Sequence, residues 1–218
     1  MSQYHTVIFD LDGTLADTVG DLNAAVNAAL TMHGMPTHTI DETRAAVGNG
    51  IRNLIVRSAP EGTDEATCDA LLADFRAYYR AHLLVNTVAY PGMVELLKNL
   101  KAAGIRLAVA SNKFQAGTKE IFDGLFYGLA EEVHGETENC PRKPDPQIVR
   151  NILTNLGVTT EGTLLVGDSE VDVQTAKNAG VDFLAVPWGF RTRKELETAG
   201  AENFAETAEA IRLFVLGA

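Results

Sequence analysis

Val7-Ile8-Phe9-Asp10-Leu11-Asp12-Gly13-Thr14-Leu15 is the stretch on which the reading of the fold turns. It opens on an apolar run, Thr6–Phe9, with the length and content of a buried strand. The run stops at two aspartates one residue apart, followed by a glycine and a threonine. In an extended segment residues i and i+2 point the same way. Asp10 and Asp12 therefore leave the strand facing one side, before Gly13 lets the chain turn. Two carboxylates at one strand end repel unless a cation or a shared proton compensates. Oxygen ligands of this kind suit Mg²⁺, and a carboxylate can itself serve as a nucleophile. Taken alone, Asp-Leu-Asp-Gly is also an ordinary polar turn.

Working outward, the period changes from strand to helix after Thr14. Leu22, Val26, Ala29 and Leu30 recur at helical spacing until Gly34-Met35-Pro36. A second helix opens at residues 41–44 and ends near Val47-Gly48-Asn49-Gly50, where two glycines permit unusual backbone angles. Residues 51–58 give a further turn or two, and 64–84 form a long amphipathic segment with Leu71, Leu72, Phe75, Tyr78 and Tyr79 as its apolar stripe. Residues 17–82 thus read as a helical insert. Beyond it, strands are expected at 105–110, 131–134, 163–166 and 182–186. Helices are expected at 93–103, 119–125, 143–156, 173–179 and 205–215. This alternation implies an α/β fold with a mainly parallel sheet and helices on both faces. Ligands of such sheets bind beyond the carboxyl ends of the strands. The polar clusters obey that rule: Asp10 with Asp12, Ser111 with Asn112, and Asp168 with Asp172 each follow a strand, and Lys143 is expected to open a helix. Asp168 and Asp172, four apart, would share one face of a helix beginning there.

Composition narrows the field. The 218 residues suffice for one sizeable core or a core with a small second domain, and 46% hydrophobic and 22% charged residues are ordinary for a globular chain. A net charge of −11 argues against nucleic-acid binding, which needs a basic face. It leaves an anionic substrate open, because a metal and a few placed cations reverse a local field. Cys68 and Cys140 lie far apart without metal-ligand spacing and are expected as free, buried thiols. No stretch is apolar and long enough to span a membrane, and no basic-then-apolar leader is visible, so the cytoplasm is the expected location. No heptad pattern predicts an oligomer, and a monomer or dimer is expected.

A strand-end Asp pair, a strand-end Ser, a Lys and a second strand-end Asp pair together supply a nucleophile, an acid/base, a hydroxyl, a cation and metal ligands. Phosphoryl transfer requires that inventory. In these residues the chain resembles the haloacid dehalogenase (HAD) superfamily phosphatases over its whole length. Asp10-Leu11-Asp12-Gly13-Thr14 matches the family's first motif, and Ser111, Lys143 and Gly167-Asp168-Ser169-Glu170-Val171-Asp172 match the second, third and fourth. Through Val47-Gly48-Asn49-Gly50, Tyr90-Pro91-Gly92, Ser111-Asn112-Lys113 and Lys143-Pro144-Asp145-Pro146 it is similar to phosphoglycolate phosphatases.

The resemblance implies a Rossmann-like core, 1–16 and 83–218, with a C1-type helical cap, 17–82, inserted after the first strand. It implies a Mg²⁺-dependent phosphomonoester hydrolase working through an aspartyl-phosphate on a small phosphorylated metabolite such as 2-phosphoglycolate. Asp10 would be the nucleophile and Asp12 the general acid and then base. Ser111 and Asn112 would hold phosphoryl oxygens, and Lys143 would neutralise charge. Asp10, the Asp12 carbonyl and Asp168 would ligate Mg²⁺, with Asp172 behind them or bound through water. Asn49, Gly50 and Arg52 would meet the substrate from the cap, Arg52 as a partner for a substrate carboxylate. A β-phosphoglucomutase-like mutase uses the same chemistry on sugar phosphates, and pyrophosphate or nucleotide hydrolysis by the same superfamily stays open.

Overall fold

The computed structural model describes residues 3–48 and 50–217. The central sheet has five parallel strands in the order β5-β4-β1-β6-β7, with β1 Thr6–Phe9, β4 Arg106–Phe114, β5 Glu132–Glu136, β6 Thr163–Gly167 and β7 Asp182–Ala185. All four residues of β1 and all five of β6 are buried. That is why these strands read as unbroken apolar runs rather than as alternating ones. Ile8, Ala108, Ala110 and Leu165 pack on one face against Ile148, Val149 and Ile152 of α7 Gln147–Leu156 and Ala176 of α8 Glu170–Ala179. The residues between them, Val7, Phe9, Val109 and Val166, are equally buried and face the other way. Helices α5 Met93–Ala102 and α6 Gln115–Phe126 also pack on β4, and α5 packs on α10 Ala208–Leu216.

The chain divides into two compact units, Met1–Asp17 with Ala89–Ala218, and Thr18–Val88. Short strands β2 Ala16–Asp17 and β3 Val88–Ala89 pair where the division falls. The second unit contains α1 Val19–Met32, α2 Ile40–Ala46, α3 Ile51–Ser58 and α4 Glu65–Ala81, and α1 packs on α4. Leu22, Val26, Leu30, Leu71, Phe75 and Tyr79 are buried there. Residues 83–88 fall with the helices, where the sequence reading placed them with the sheet. Buried Asp21 explains this. Its carboxylate accepts hydrogen bonds from the backbone N–H groups of Val85, Asn86 and Thr87 and from the Thr87 hydroxyl, so it fastens the returning chain to α1.

Several boundaries differ from the sequence expectation, each for a local reason. β4 runs on through Ser111, Asn112 and Lys113 to Phe114, with a register shift against β5 between Ala110 and Phe114. Lys143 does not open a helix. Pro144 and Pro146 disfavour helical geometry in the residues before them, and α7 begins only at Gln147. α8 starts at Glu170 through a capping box between Ser169 and Asp172. Asp168 therefore lies outside the helix, and the shared-face argument for Asp168 and Asp172 does not hold. Helix α9 Arg193–Ala199 was not expected, although Thr192 and Glu195 carry the capping-box spacing. It packs through Leu196 against Val173 and Ala185. Cys68 is free and buried, while Cys140 is free and only half-buried. Among the described residues no helix is long and apolar enough to cross a membrane.

Asp21→Ala leaves two buried donors, the Thr87 N–H and hydroxyl, without their acceptor. Each buried donor stranded in this way costs about 1–3 kcal/mol. The variant is expected to lose at least about 2 kcal/mol of stability with α1 still formed, read by urea denaturation followed by far-UV circular dichroism.

Candidate active site

Parallel strands deliver their carboxyl ends to one edge of the sheet. β1 is flanked by β4 and β6, so the segments that follow these three strands become neighbours although they are far apart in sequence. One carboxylate oxygen from each of Asp10, Asp168 and Asp172 lies within 4.8 Å of the others. Lys143 enters this cluster with its side chain only 3% exposed. Its Nζ donates to Asp10 Oδ1 at 2.8 Å and to Asp172 Oδ1 at 2.7 Å. Asp12 turns elsewhere and accepts from Lys113 Nζ at 3.0 Å. The two aspartates of the first motif thus have different cations.

Each member of the cluster is braced. Asn112 clamps Lys143: its Oδ1 accepts from the Lys143 N–H at 2.8 Å and its Nδ2 donates to the Lys143 carbonyl at 3.0 Å. Asn178 donates to the Pro144 carbonyl at 2.8 Å. Asp168 accepts from the Thr14 hydroxyl at 3.0 Å and from the Phe190 N–H at 2.7 Å. Asp172 Oδ2 accepts from Ser169 Oγ at 2.6 Å and from the Ser169 N–H at 3.2 Å. Backbone approaches are close enough that a Cβ on Gly13 or Gly189 would collide with the Asp168 carboxylate. Gly13 also has φ +89, a conformation that favours glycine. Ser111 Oγ accepts from the Lys113 N–H at 3.1 Å, which leaves its own hydrogen available to donate.

The charges set the electrostatics. Burial pushes the Asp10 carboxyl up to about 7; Lys143 opposes the rise, and Asp172 and Asp12 add to it. Asp168 is raised well above the usual carboxylate range, by burial first and then by Asp10 and Asp172, with the Phe190 N–H and Thr14 hydroxyl opposing. Burial works against the charge on Lys143, but Asp10 and Asp172 outweigh it and raise its pKa. Three crowded, buried, oxygen-only donors fit a hard divalent cation such as Mg²⁺, whose charge would relieve their repulsion.

The structure brings Asp10, Asp168, Asp172 and Lys143 together, with Asn112 behind Lys143 and Asp12 on its own lysine. In the helical unit, Asn49 lies outside the described residues. Gly50 has φ +90 and Gly48 φ +133, the unusual angles anticipated for this loop. Arg52 is engaged on an exposed surface, its guanidinium donating to Glu65 and Asp69 of α4 at 3.0 Å each. Arg57, which the sequence did not single out, holds the same loop by donating to the Ala46 and Gly48 carbonyls. The sequence reading also missed Lys113, Thr14 and the segment after β7, where Trp188 Nε1 donates to the Thr14 carbonyl and Phe190 meets Asp168. Their position at or beyond the carboxyl ends of strands was the available signal.

The family model described as haloacid dehalogenase-like hydrolase matches residues 7–186. A phosphoglycolate phosphatase of Pseudomonas syringae pv. tomato is 34% identical over 97% of this chain and 78% of its own length. One from Rhodospirillum rubrum is 36% identical over 89% and 84%. A crystal structure from Lactobacillus delbrueckii subsp. bulgaricus, provisionally assigned as a phosphoglycolate phosphatase, superposes with a TM-score of 0.95 at 32% identity and covers 100% of both chains.

A carboxyl whose pKa is raised by folding binds its proton more tightly in the folded chain. Its stabilising contribution is complete below the unfolded value near 4 and is lost as pH rises through the folded value, here about 7 for Asp10. In chelator, the protein is therefore expected to lose a few kcal/mol between pH 5 and pH 8. Asp168→Asn removes one repelling carboxylate and is expected to flatten that loss. Urea midpoints at pH 5, 6.5 and 8 measure both effects.

Proposed function

The chain belongs to the haloacid dehalogenase-like hydrolase family and is a phosphatase of it, and on that premise we propose that it hydrolyses 2-phosphoglycolate through an aspartyl-phosphate on Asp10, with Mg²⁺ as cofactor. The observation that carries the reading is the buried Lys143 Nζ at 2.8 Å from Asp10 Oδ1, inside a cluster of three carboxylates. A carboxylate approaching a phosphate dianion meets like charge, and a fixed ammonium at the point of approach lowers that barrier.

Asp10 attacks phosphorus with one carboxylate oxygen while Lys143 holds the other. The bond from phosphorus to the ester oxygen breaks, and Asp12 gives that oxygen its proton. Water then attacks the aspartyl-phosphate and loses a proton to Asp12, and the bond to Asp10 breaks to release phosphate. The Ser111 hydroxyl is suited to donate to a phosphoryl oxygen. Of the aspartates paired with a lysine here, Asp10 and Asp12 have side chains 11% and 18% exposed, against none for Asp172, so these two are the ones a substrate can reach. Asp10, Asp168 and the Asp12 carbonyl would hold Mg²⁺, with Asp172 anchored behind them by Lys143 and Ser169, and the ion would supply charge neutralisation for the phosphoryl oxygens.

The substrate assignment is supported by the relatives named phosphoglycolate phosphatase. It does not draw on Arg52, whose guanidinium is already paired with Glu65 and Asp69.

Phosphate release from 2-phosphoglycolate, sugar phosphates, nucleoside monophosphates and pyrophosphate, with and without Mg²⁺, tests the reading. A Mg²⁺-dependent preference for 2-phosphoglycolate is expected, and isomerisation of a sugar phosphate without phosphate release would replace it with a mutase. Asp10→Asn is expected to lower turnover at least about 10³-fold with the circular dichroism spectrum unchanged. Turnover near that of the wild type removes Asp10 as nucleophile.

A further inference from the structure

Lys113 is a second buried lysine, its side chain only 4% exposed. Its main chain is fastened on both sides. The N–H donates to Ser111 Oγ, and the carbonyl accepts from Thr118 Oγ1 at 3.1 Å. β5 approaches so closely that a Cβ on Gly135 would come within 2.6 Å of the Lys113 carbonyl oxygen and 2.5 Å of Thr118 Oγ1. Gly135 N in turn donates to Gln115 Oε1 at 2.7 Å. The segment that carries Lys113 is thus built into the irregular end of β4, and from it the ammonium reaches Asp12 Oδ1 at 3.0 Å.

A buried ammonium costs several kcal/mol unless it is paired and hydrogen-bonded. Packing β4 against β5 has no use for such a group, since an apolar side chain would fill the space without that cost. The pairing has a chemical consequence. Asp10 and Asp12 are two residues apart, and Lys143 is already committed to Asp10 and Asp172. Without its own cation, Asp12 could turn toward Lys143 and compete with Asp10 for it.

We propose that Lys113 is a positioning residue for Asp12: its ammonium holds that carboxyl group apart from the Asp10–Lys143 pair and directs it to the ester oxygen of the substrate. The inference rests on the reading of Asp12 as the acid that protonates the leaving group. In the step concerned, the bond from phosphorus to the ester oxygen breaks as the proton passes from Asp12 to that oxygen. An alkoxide leaving group needs the proton, whereas p-nitrophenolate departs without it.

The test is kcat/KM, which reports the first phosphoryl transfer alone. It is measured for p-nitrophenyl phosphate and for the alkyl phosphate that the wild type turns over fastest. Lys113→Met removes the charge at similar length, Lys113→Gln replaces it should the Met variant fail to fold, Lys113→Arg restores a cation, and Asp12→Asn removes the acid. Expected is a fall of about 10-fold or more in the alkyl-to-nitrophenyl ratio for Asp12→Asn and for the neutral Lys113 variant, with partial recovery in Lys113→Arg. If Asp12→Asn shifts the ratio and the neutral Lys113 variant lowers both substrates equally, Lys113 is structural and the inference fails while the acid reading stands. If Asp12→Asn leaves the ratio unchanged, the acid reading fails and the inference goes with it.

Discussion

One ammonium shared by two carboxylates, with a third crowded against them, is the constraint that the core of this protein is arranged around. Lys143 binds Asp10 and Asp172 from a position almost closed to water, and Asp168 lies within reach of both. Three carboxylates against one lysine cannot balance when all are ionised. Burial makes the imbalance more costly, since low dielectric strengthens repulsion and desolvation alike. The surrounding chain compensates with fixed donors: Thr14 and the Phe190 N–H on Asp168, and Ser169 on Asp172. What these donors leave uncompensated is negative charge in a fixed place, and that is what a divalent cation would neutralise.

Strand order makes the constraint possible. Asp10 follows β1, the middle strand, and its neighbours β4 and β6 deliver Ser111–Lys113 and Asp168 beside it. Glycines let the backbones come close. Gly13 and Gly189 close on Asp168, and Gly135 admits the irregular end of β4. A methyl group at Gly13 or Gly189 would push the Asp168 carboxylate from its partners, and one at Gly135 would press on the main chain of Lys113. The same crowding gives Asp10 and Asp12 separate lysines.

The helical unit is built on its own polar anchor. Buried Asp21 gathers the N–H groups of Val85, Asn86 and Thr87, and the apolar stripe of α4 packs on α1. Its exposed charges, Arg52 with Glu65 and Asp69 among them, are ion pairs of the kind that contribute little to stability. The loop at Gly48 and Gly50 owes its form to left-handed backbone and to Arg57, which spans from α3 to hold it.

By itself the sequence determined the strand and helix pattern of the sheet, the helical nature of the insert, and the identity of Asp10, Asp12, Ser111, Lys143, Asp168 and Asp172 as the groups worth weighing. These follow from local facts: apolar runs, periodicity, and polar residues placed just after strands. It was less exact about where helices begin. α8 and α9 start on capping boxes whose residues are polar and look like loop. Only the tertiary structure decided the pairings: that Lys143 meets Asp10 and Asp172, that Lys113 meets Asp12, that Asn112 serves Lys143 through its side chain, and that Phe190 and Thr14 hold Asp168. The reason is physical. Periodicity reports which way a side chain leaves its own backbone, whereas which cation reaches which carboxylate depends on the order and spacing of strands that are not consecutive in the chain.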